Sequence, residues 1–284
     1  MTNNKFDAFA ISAANYEALT PLSFLPRTAL MFPDRRAVVY GQRNYSWQAF
    51  YKRCTKLASA LNKIGVGRGD TVAVLAANTP EMVEAHFGIP MCGAVLNTIN
   101  TRLDDETIAY ILGHGEAKVF IVDYELAPQV KNALEIHGDS DLLVIDILDL
   151  QNTANPAAIG ATDYEAFLAT GTDKFQWNMP TNEWDAIGLS YTSGTSGRPK
   201  GVVYHHRGSY LMSMGTITDW GLPRHPNYLY TVPMFHCNGW GHAWTMTALA
   251  GTMFCTRAII PEEIFSAILE HKISHFGGAP IVLS

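Results

Sequence analysis

Tyr191-Thr192-Ser193-Gly194-Thr195-Ser196-Gly197-Arg198-Pro199-Lys200-Gly201 is the stretch on which the fold and the chemistry of this chain turn. It leaves the apolar run Ile187-Gly188-Leu189-Ser190 and enters the apolar pair Val202-Val203, so it reads as a loop that follows a strand. Eleven residues hold four Ser/Thr hydroxyls, three glycines and two cations. Glycines let the backbone approach a ligand and present successive N–H groups to it. Hydroxyls can turn donors towards phosphate oxygens, and Lys200 adds a mobile point charge. Ordinary surface loops are also rich in Ser, Thr and Gly, so order matters as much as content. A Walker loop needs Lys directly after Gly, and here Arg198-Pro199 intervene. A nucleophile elbow needs Gly-x-Ser-x-Gly, which the loop lacks.

A charge argument bounds what the loop does alone. One ion pair at 4 Å is worth about 4 kcal/mol at an effective dielectric near 20, before desolvation is subtracted. A nucleoside triphosphate carries several negative charges, so Lys200 cannot balance it; backbone amides, hydroxyls and a divalent cation must share the task. A Mg²⁺ site is implied, although the segment holds no carboxylate for it.

Outward from the loop, short β-rich runs alternate with helical stretches. The runs are Thr71 to Leu75, Ala94 to Leu96, Lys118 to Val122, Leu142 to Ile145, Ile187 to Tyr191, Tyr228 to Val232 and Thr252 to Cys255. Ser46 can cap a helix that lines up Phe50, Cys54, Leu57, Ala58, Leu61 and Ile64. Pro80 suits the first turn of a helix through Ile89, and Pro261-Glu262-Glu263 opens another with Ile264, Ile268 and Leu269 apolar. A short helix is expected from Tyr164 to Leu168, inside a stretch from Gln151 to Thr181 that reads as a surface connection. His205-His206-Arg207 reads as the start of a solvated helix. This alternation implies an α/β fold with mostly parallel sheets flanked by helices. Pro280 looks like the start of a helix that the sequence does not complete, so the domain is expected to be truncated.

Composition narrows the class. The chain has 284 residues, 48% hydrophobic and 16% charged, which is ordinary globular usage. A net charge of −6 argues against a nucleic-acid partner held by a broad basic surface. Cys54, Cys92, Cys237 and Cys255 are scattered and read as buried thiols rather than a disulfide framework. Neither a secretory signal nor an apolar run long enough to span a membrane is apparent. A cytoplasmic enzyme is the expectation. His236, Cys237 and His242 fit no standard zinc spacing.

The pattern Ser/Thr-Gly-Thr-Thr/Ser-Gly-x-Pro-Lys-Gly is matched throughout by Ser193 to Gly201. The string resembles the nucleotide-binding signature of the adenylate-forming superfamily: acyl-CoA synthetases, luciferases and nonribosomal peptide synthetase adenylation domains. Gly93 to Leu103 with Ile108 to Leu112, Pro233 to Trp240, and His275 to Pro280 resemble further segments of its fatty acyl-CoA synthetases. The resemblance runs from about Leu22 to Ser284 and implies the large N-terminal domain of such an enzyme, incomplete and without its C-terminal domain, with residues 1–20 as an extension before residues 21–284.

Carried over residue by residue, the resemblance makes Thr192, Ser193, Gly194, Thr195, Ser196, Gly197 and Lys200 the ATP phosphate grip, with Thr195 on the Mg²⁺ side. His236 would be the catalytic residue, orienting the carboxylate near the α-phosphate. His236 with Trp240, Gly278 and Ala279 would form the acyl pocket and its gate. It further implies ATP, Mg²⁺ and coenzyme A, with a fatty or other small carboxylic acid as substrate and a homodimer left open. An adenylation domain that loads a carrier-protein thiol, and a non-catalytic nucleotide-binding or interaction module, are the alternatives. The 284-residue chain by itself is expected to be inactive.

Overall fold

The structure is a computed structural model that describes residues 11–151, 158–192, 197–278 and Val282. Helix α1 (Phe24–Met31) leads into a hairpin of β1 (Arg36–Tyr40) and β2 (Arg43–Ser46). Helix α2 (Trp47–Lys63) follows, and its expected cap is present: Ser46 Oγ accepts the Ala49 N–H at 3.2 Å. Then come β3 (Thr71–Leu75), α3 (Pro80–Met91), β4 (Val95–Thr98), α4 (Asp105–His114), β5 (Ala117–Asp123), α5 (Ala127–His137) and β6 (Leu143–Ile147). The chain continues through β7 (Thr162–Asp163), α6 (Tyr164–Thr170), β8 (Ala186–Thr192), β9 (Lys200–His205) and α7 (His206–Asp219). It ends with β10 (Asn227–Tyr230), α8 (His242–Ala248), β11 (Thr252–Cys255), α9 (Pro261–His271) and β12 (His275–Phe276).

Among the described residues the strands form two sheets, ordered β7-β6-β5-β3-β4-β8-β9 and β12-β10-β11-β1-β2. Neighbours pair in parallel except at β1–β2 and β8–β9, so the expected α/β architecture is present. Five-residue β3 is buried along its whole length, as a central parallel strand should be. Helix α3 is buried on every side, with Val83 and Phe87 in the principal apolar cluster beside Val38 and Tyr228 of the smaller sheet. A second cluster fills the opposite face of β3 and β5 beneath α4 and α5.

Several expectations change. Ile64 lies beyond the end of α2 and is 47% exposed, because the helix stops before that face completes another turn. On α9 only Ile264 is buried, while Leu269 is 79% exposed. The Gln151 to Thr181 stretch is more than a surface connection: β7 joins β6, and α6 buries Tyr164, Phe167 and Leu168. His206 starts a helix as expected but is not solvated. Its Nδ1 lies 2.8 Å from buried Thr20 Oγ1, and burial pulls its pKa down to about 4. The expected runs omit β1, β2, β7, β9 and β12: β7 and β12 are only two residues long, β2 and β9 mix polar with apolar residues, and β1 is a short apolar run, Ala37 to Tyr40, buried throughout.

Candidate active site

The carboxyl ends of parallel strands are where open α/β sheets bind ligands. At the ends of β4 and β8 lies a cavity of about 330 Å³. Thr98 and Asn100 line it from the β4 side, Ser190 to Thr192 from β8, Pro199, Val202 and Tyr204 from β9, and Phe235, His236 and Cys237 from a short 3₁₀ turn. No Asp or Glu lies among these lining residues. The lining mixes apolar side chains with hydroxyls, an amide and an imidazole, so it offers hydrogen-bond donors to a ligand without a carboxylate to repel an anion.

Strands β8 and β9 are the two arms of a hairpin. Thr192 pairs with Lys200 and Tyr191 with Gly201, which puts the loop at the hairpin tip. Exposed Lys200 has no ion-pair partner among the described residues. Gly197 holds φ +151 with open space where a side chain would stand, a backbone conformation that suits glycine. Ser193, Gly194, Thr195 and Ser196 lie outside the described residues, as does Ala279. The hairpin is anchored sideways to α4. His114 Nδ1 lies 2.8 Å from Tyr191 Oη, and the Arg198 guanidinium sits 5.4 Å over the Tyr110 ring.

The 3₁₀ turn His236–Gly241 is held against the sheet by side chains distant in sequence. Thr98 Oγ1 donates to the Phe235 carbonyl at 3.0 Å. The Asn78 amide donates to the Tyr230 and Val232 carbonyls at 2.8 and 2.9 Å, and its oxygen accepts the Met234 N–H at 2.8 Å. In the sequence Asn78 is marked for this role only by its place two residues before Pro80, where α3 begins. His236 is exposed at the cavity, with Nδ1 3.4 Å from Cys237 Sγ. Cys237 corrects the expectation of buried thiols: all four cysteines are free, yet this one is exposed. Burial raises the pKa of Tyr204, which keeps its phenol protonated in the cavity wall.

Of the residues expected at the site, Thr192 and His236 meet at this cavity and Lys200 stands beside Thr192. Trp240 and Gly278 do not line it. Trp240 is 54% exposed at φ +56 on the far end of the turn. Among the described residues no group of three His, Cys, Asp or Glu could hold a metal ion, which includes His236, Cys237 and His242. Nor is any described helix long and apolar enough to cross a membrane.

Residues 25–284 match the family model described as AMP-binding enzyme. The chain belongs to that family. It is 45% identical over 281 residues to the peroxisomal acetate/butyrate–CoA ligase AAE7 of Arabidopsis thaliana, covering 95% of this chain and 49% of that one. Identity to the acetate–CoA ligase CCL3 of Humulus lupulus is 44%, covering 100% and 52%. The chain thus spans about half the length of the curated relatives it matches. Among solved structures, anthranilate CoA ligase AuaEII in complex with anthranoyl-AMP superposes with a TM-score of 0.84 at 22% identity, over 96% of this chain and 52% of that one. The long-chain-fatty-acid-CoA ligase FadD1 of Archaeoglobus fulgidus gives 0.82 at 20%, over 94% and 53%. These two likenesses establish the fold alone.

Proposed function

We propose that the protein activates a small carboxylic acid with ATP, through an acyl-adenylate, to an acyl-CoA thioester. The observation that carries this reading is the convergence of the β8–β9 hairpin and His236 on one cavity free of acidic side chains. A carboxylate oxygen attacks the α-phosphorus of ATP and pyrophosphate leaves. The thiol of coenzyme A then attacks the acyl carbon, and AMP carries away the bonding pair. Neither step needs a covalent enzyme intermediate, so the protein positions reactants and stabilises charge.

Lys200 and the Thr192 hydroxyl are the donors that would grip the β- and γ-phosphates, with Ser193 to Gly197 completing the loop. His236, across the cavity, would hold the incoming carboxylate beside the α-phosphate. The Thr192 and Ser190 hydroxyls and His236 in the lining can donate to phosphate oxygens. Mg²⁺ bound to the triphosphate would neutralise charge that Lys200 alone does not balance, and Thr195 is the hydroxyl assigned to it by the resemblance. The names of the acetate and butyrate ligases support a short acid. A homodimer and a cytoplasmic location remain part of the proposal, and the name of the Arabidopsis relative adds the peroxisome as a second location to test.

Pyrophosphate release by the full-length protein, measured over a panel of acids with and without Mg²⁺, tests the reading. Lys200→Ala is expected to weaken ATP binding by about tenfold to a hundredfold, the worth of one charged hydrogen bond. His236→Ala should lower kcat by about 10²-fold with little change in ATP affinity. Tight ATP binding without activation of any acid would instead favour a nucleotide-binding module.

A further inference from the structure

Helix α4 carries two rings to which the acid-activation chemistry gives no role. Tyr110 and His114 stand one turn apart, with ring centroids 5.2 Å from each other. Each meets a different leg of the β8–β9 hairpin. His114 Nδ1 lies 2.8 Å from Tyr191 Oη, and these two rings meet edge to face with centroids 5.7 Å apart. The Arg198 guanidinium lies 5.4 Å over the Tyr110 ring. Tyr191 immediately precedes Thr192, and Arg198 stands two residues before Lys200. Both holds are thus applied beside the two residues that would grip the triphosphate.

Packing gives that end of the hairpin little support. Strand β9 is the last of its sheet and pairs, among the described residues, only with β8. Lys200 to Val203 are exposed, and so is Thr192 at the end of β8. An edge hairpin with so few buried contacts opens locally at low cost. The residue after His114 is Gly115, and its missing side chain brings α4 within reach. A Cβ there would stand 3.3 Å from Tyr191 Oη, 3.1 Å from Asn97 Nδ2 and 2.9 Å from the Ile111 carbonyl oxygen.

The two contacts hold by different physics. Burial and the neighbouring Tyr110 raise the Tyr191 pKa, so its phenol keeps the proton at neutral pH. A phenol both donates and accepts, so its pair with His114 forms with either ring tautomer and with the charged ring. The Arg198 contact needs only a cation over a π face, and a planar guanidinium adds stacking to its charge.

We propose that Tyr110 and His114 are positioning residues that clamp the two legs of the hairpin to α4 and set Thr192 and Lys200 in place before the triphosphate of ATP arrives. The inference rests on the acid-activation reading, in which those two residues grip the β- and γ-phosphates. A hairpin already held loses less binding free energy to its own ordering, so the clamp acts on ATP affinity. Bound nucleotide then holds the same residues, which leaves kcat at saturating ATP unaffected.

The test compares three variants of the full-length protein. Tyr110→Leu removes the π face, Tyr191→Phe removes only the hydroxyl, and Tyr110→Phe keeps the π face. The first two should each raise the Kd for ATP by about threefold to tenfold. Their kcat at saturating ATP should stay within about twofold of wild type. Without nucleotide, hydrogen exchange at the Thr192 and Lys200 amides should quicken by a similar factor, while exchange in β3 stays as in wild type. Tyr110→Phe should match wild type in both measurements. Exchange that quickens equally in β3, or a Tyr191→Phe variant with unchanged affinity or unchanged exchange, would overturn the inference. If wild type binds no ATP, the acid-activation reading fails, and the nucleotide-free exchange decides the clamp by itself. Faster exchange at Thr192 and Lys200 then supports it, and equal exchange overturns it.

Discussion

Cys237, Gly239, Trp240 and Gly241 all take positive φ, so the turn that presents His236 is made from backbone that ordinary side chains avoid. Gly239 is its tightest point. At φ +57, an added Cβ would stand 2.6 Å from Tyr230 Oη and 3.1 Å from Met234 Cα, the second of which is backbone and cannot give way. Tyr230 Oη also donates to the Gly239 carbonyl at 3.2 Å, tying the turn to β10. Gly239→Ala is therefore expected to cost about 1–3 kcal/mol and to misplace His236. Urea denaturation should show the lower midpoint, and acid-dependent pyrophosphate release should fall by more than ATP affinity does. Unchanged stability would mean that the turn relaxes without strain. The phosphate loop was legible at this scale because its chemistry is local: hydroxyls, glycines and lysine act where they stand in the chain. The role of Gly239 was not legible, because a φ value and a tyrosine nine positions away in sequence decide it.

Among the elements, α3 shows how charge is carried into the core. Glu84 is fully buried between α2 and α6, where Arg53 pairs with it and Tyr164 Oη donates to it at 2.8 Å. Desolvation outweighs the attraction of Arg53 and lifts the Glu84 pKa to about 7, from an ordinary value of 4.5. The sign follows from linkage: a raised folded-state pKa means that the proton favours the folded chain. Its contribution is full below about 4.5 and is lost as pH rises through about 7. Glutamine keeps the shape but cannot ionise. Relative to Glu84→Gln, wild type should lose stability between pH 5 and 8, with a slope of at most about 1.4 kcal/mol per pH unit. Chemical denaturation at several pH values measures this. A pH-independent difference would show that Arg53 keeps the carboxylate ionised throughout. The helix itself was readable from Pro80 and the apolar residues that follow, while its burial on every side was not. Glu81 and Glu84, one turn apart, look like a solvated face until Arg43 and Arg53 arrive from other elements.

Across the whole molecule, Arg257 ties the two sheets together. It follows β11 in the smaller sheet and reaches Asp123, at the end of β5, at 2.7 Å and Asp149, beyond β6, at 3.1 Å. Its guanidinium also lies 5.4 Å over the Tyr124 ring. Both aspartates are buried, at 0% and 3% exposure, so removing the cation takes the counter-charge from two carboxylates, of which Asp149 keeps the hydrogen bond from Tyr40 Oη. Arg257→Met should therefore cost about 3–5 kcal/mol, read from denaturation midpoints. Adding Asp123→Asn should recover part of the loss, and failure to do so would locate the effect in packing rather than charge. The sequence by itself determined the strand–helix alternation, the parallel character of the sheets and the phosphate-loop chemistry, because each depends on neighbours in the chain. Only the tertiary structure decided that Thr98, Thr192 and His236 share one cavity, that Asn78 clamps the segment leading to the turn, and that Tyr110 and His114 meet the two legs of the hairpin. Those meetings depend on sheet order, and order is set by which apolar faces bury one another over long separations, a property that no local window of residues contains.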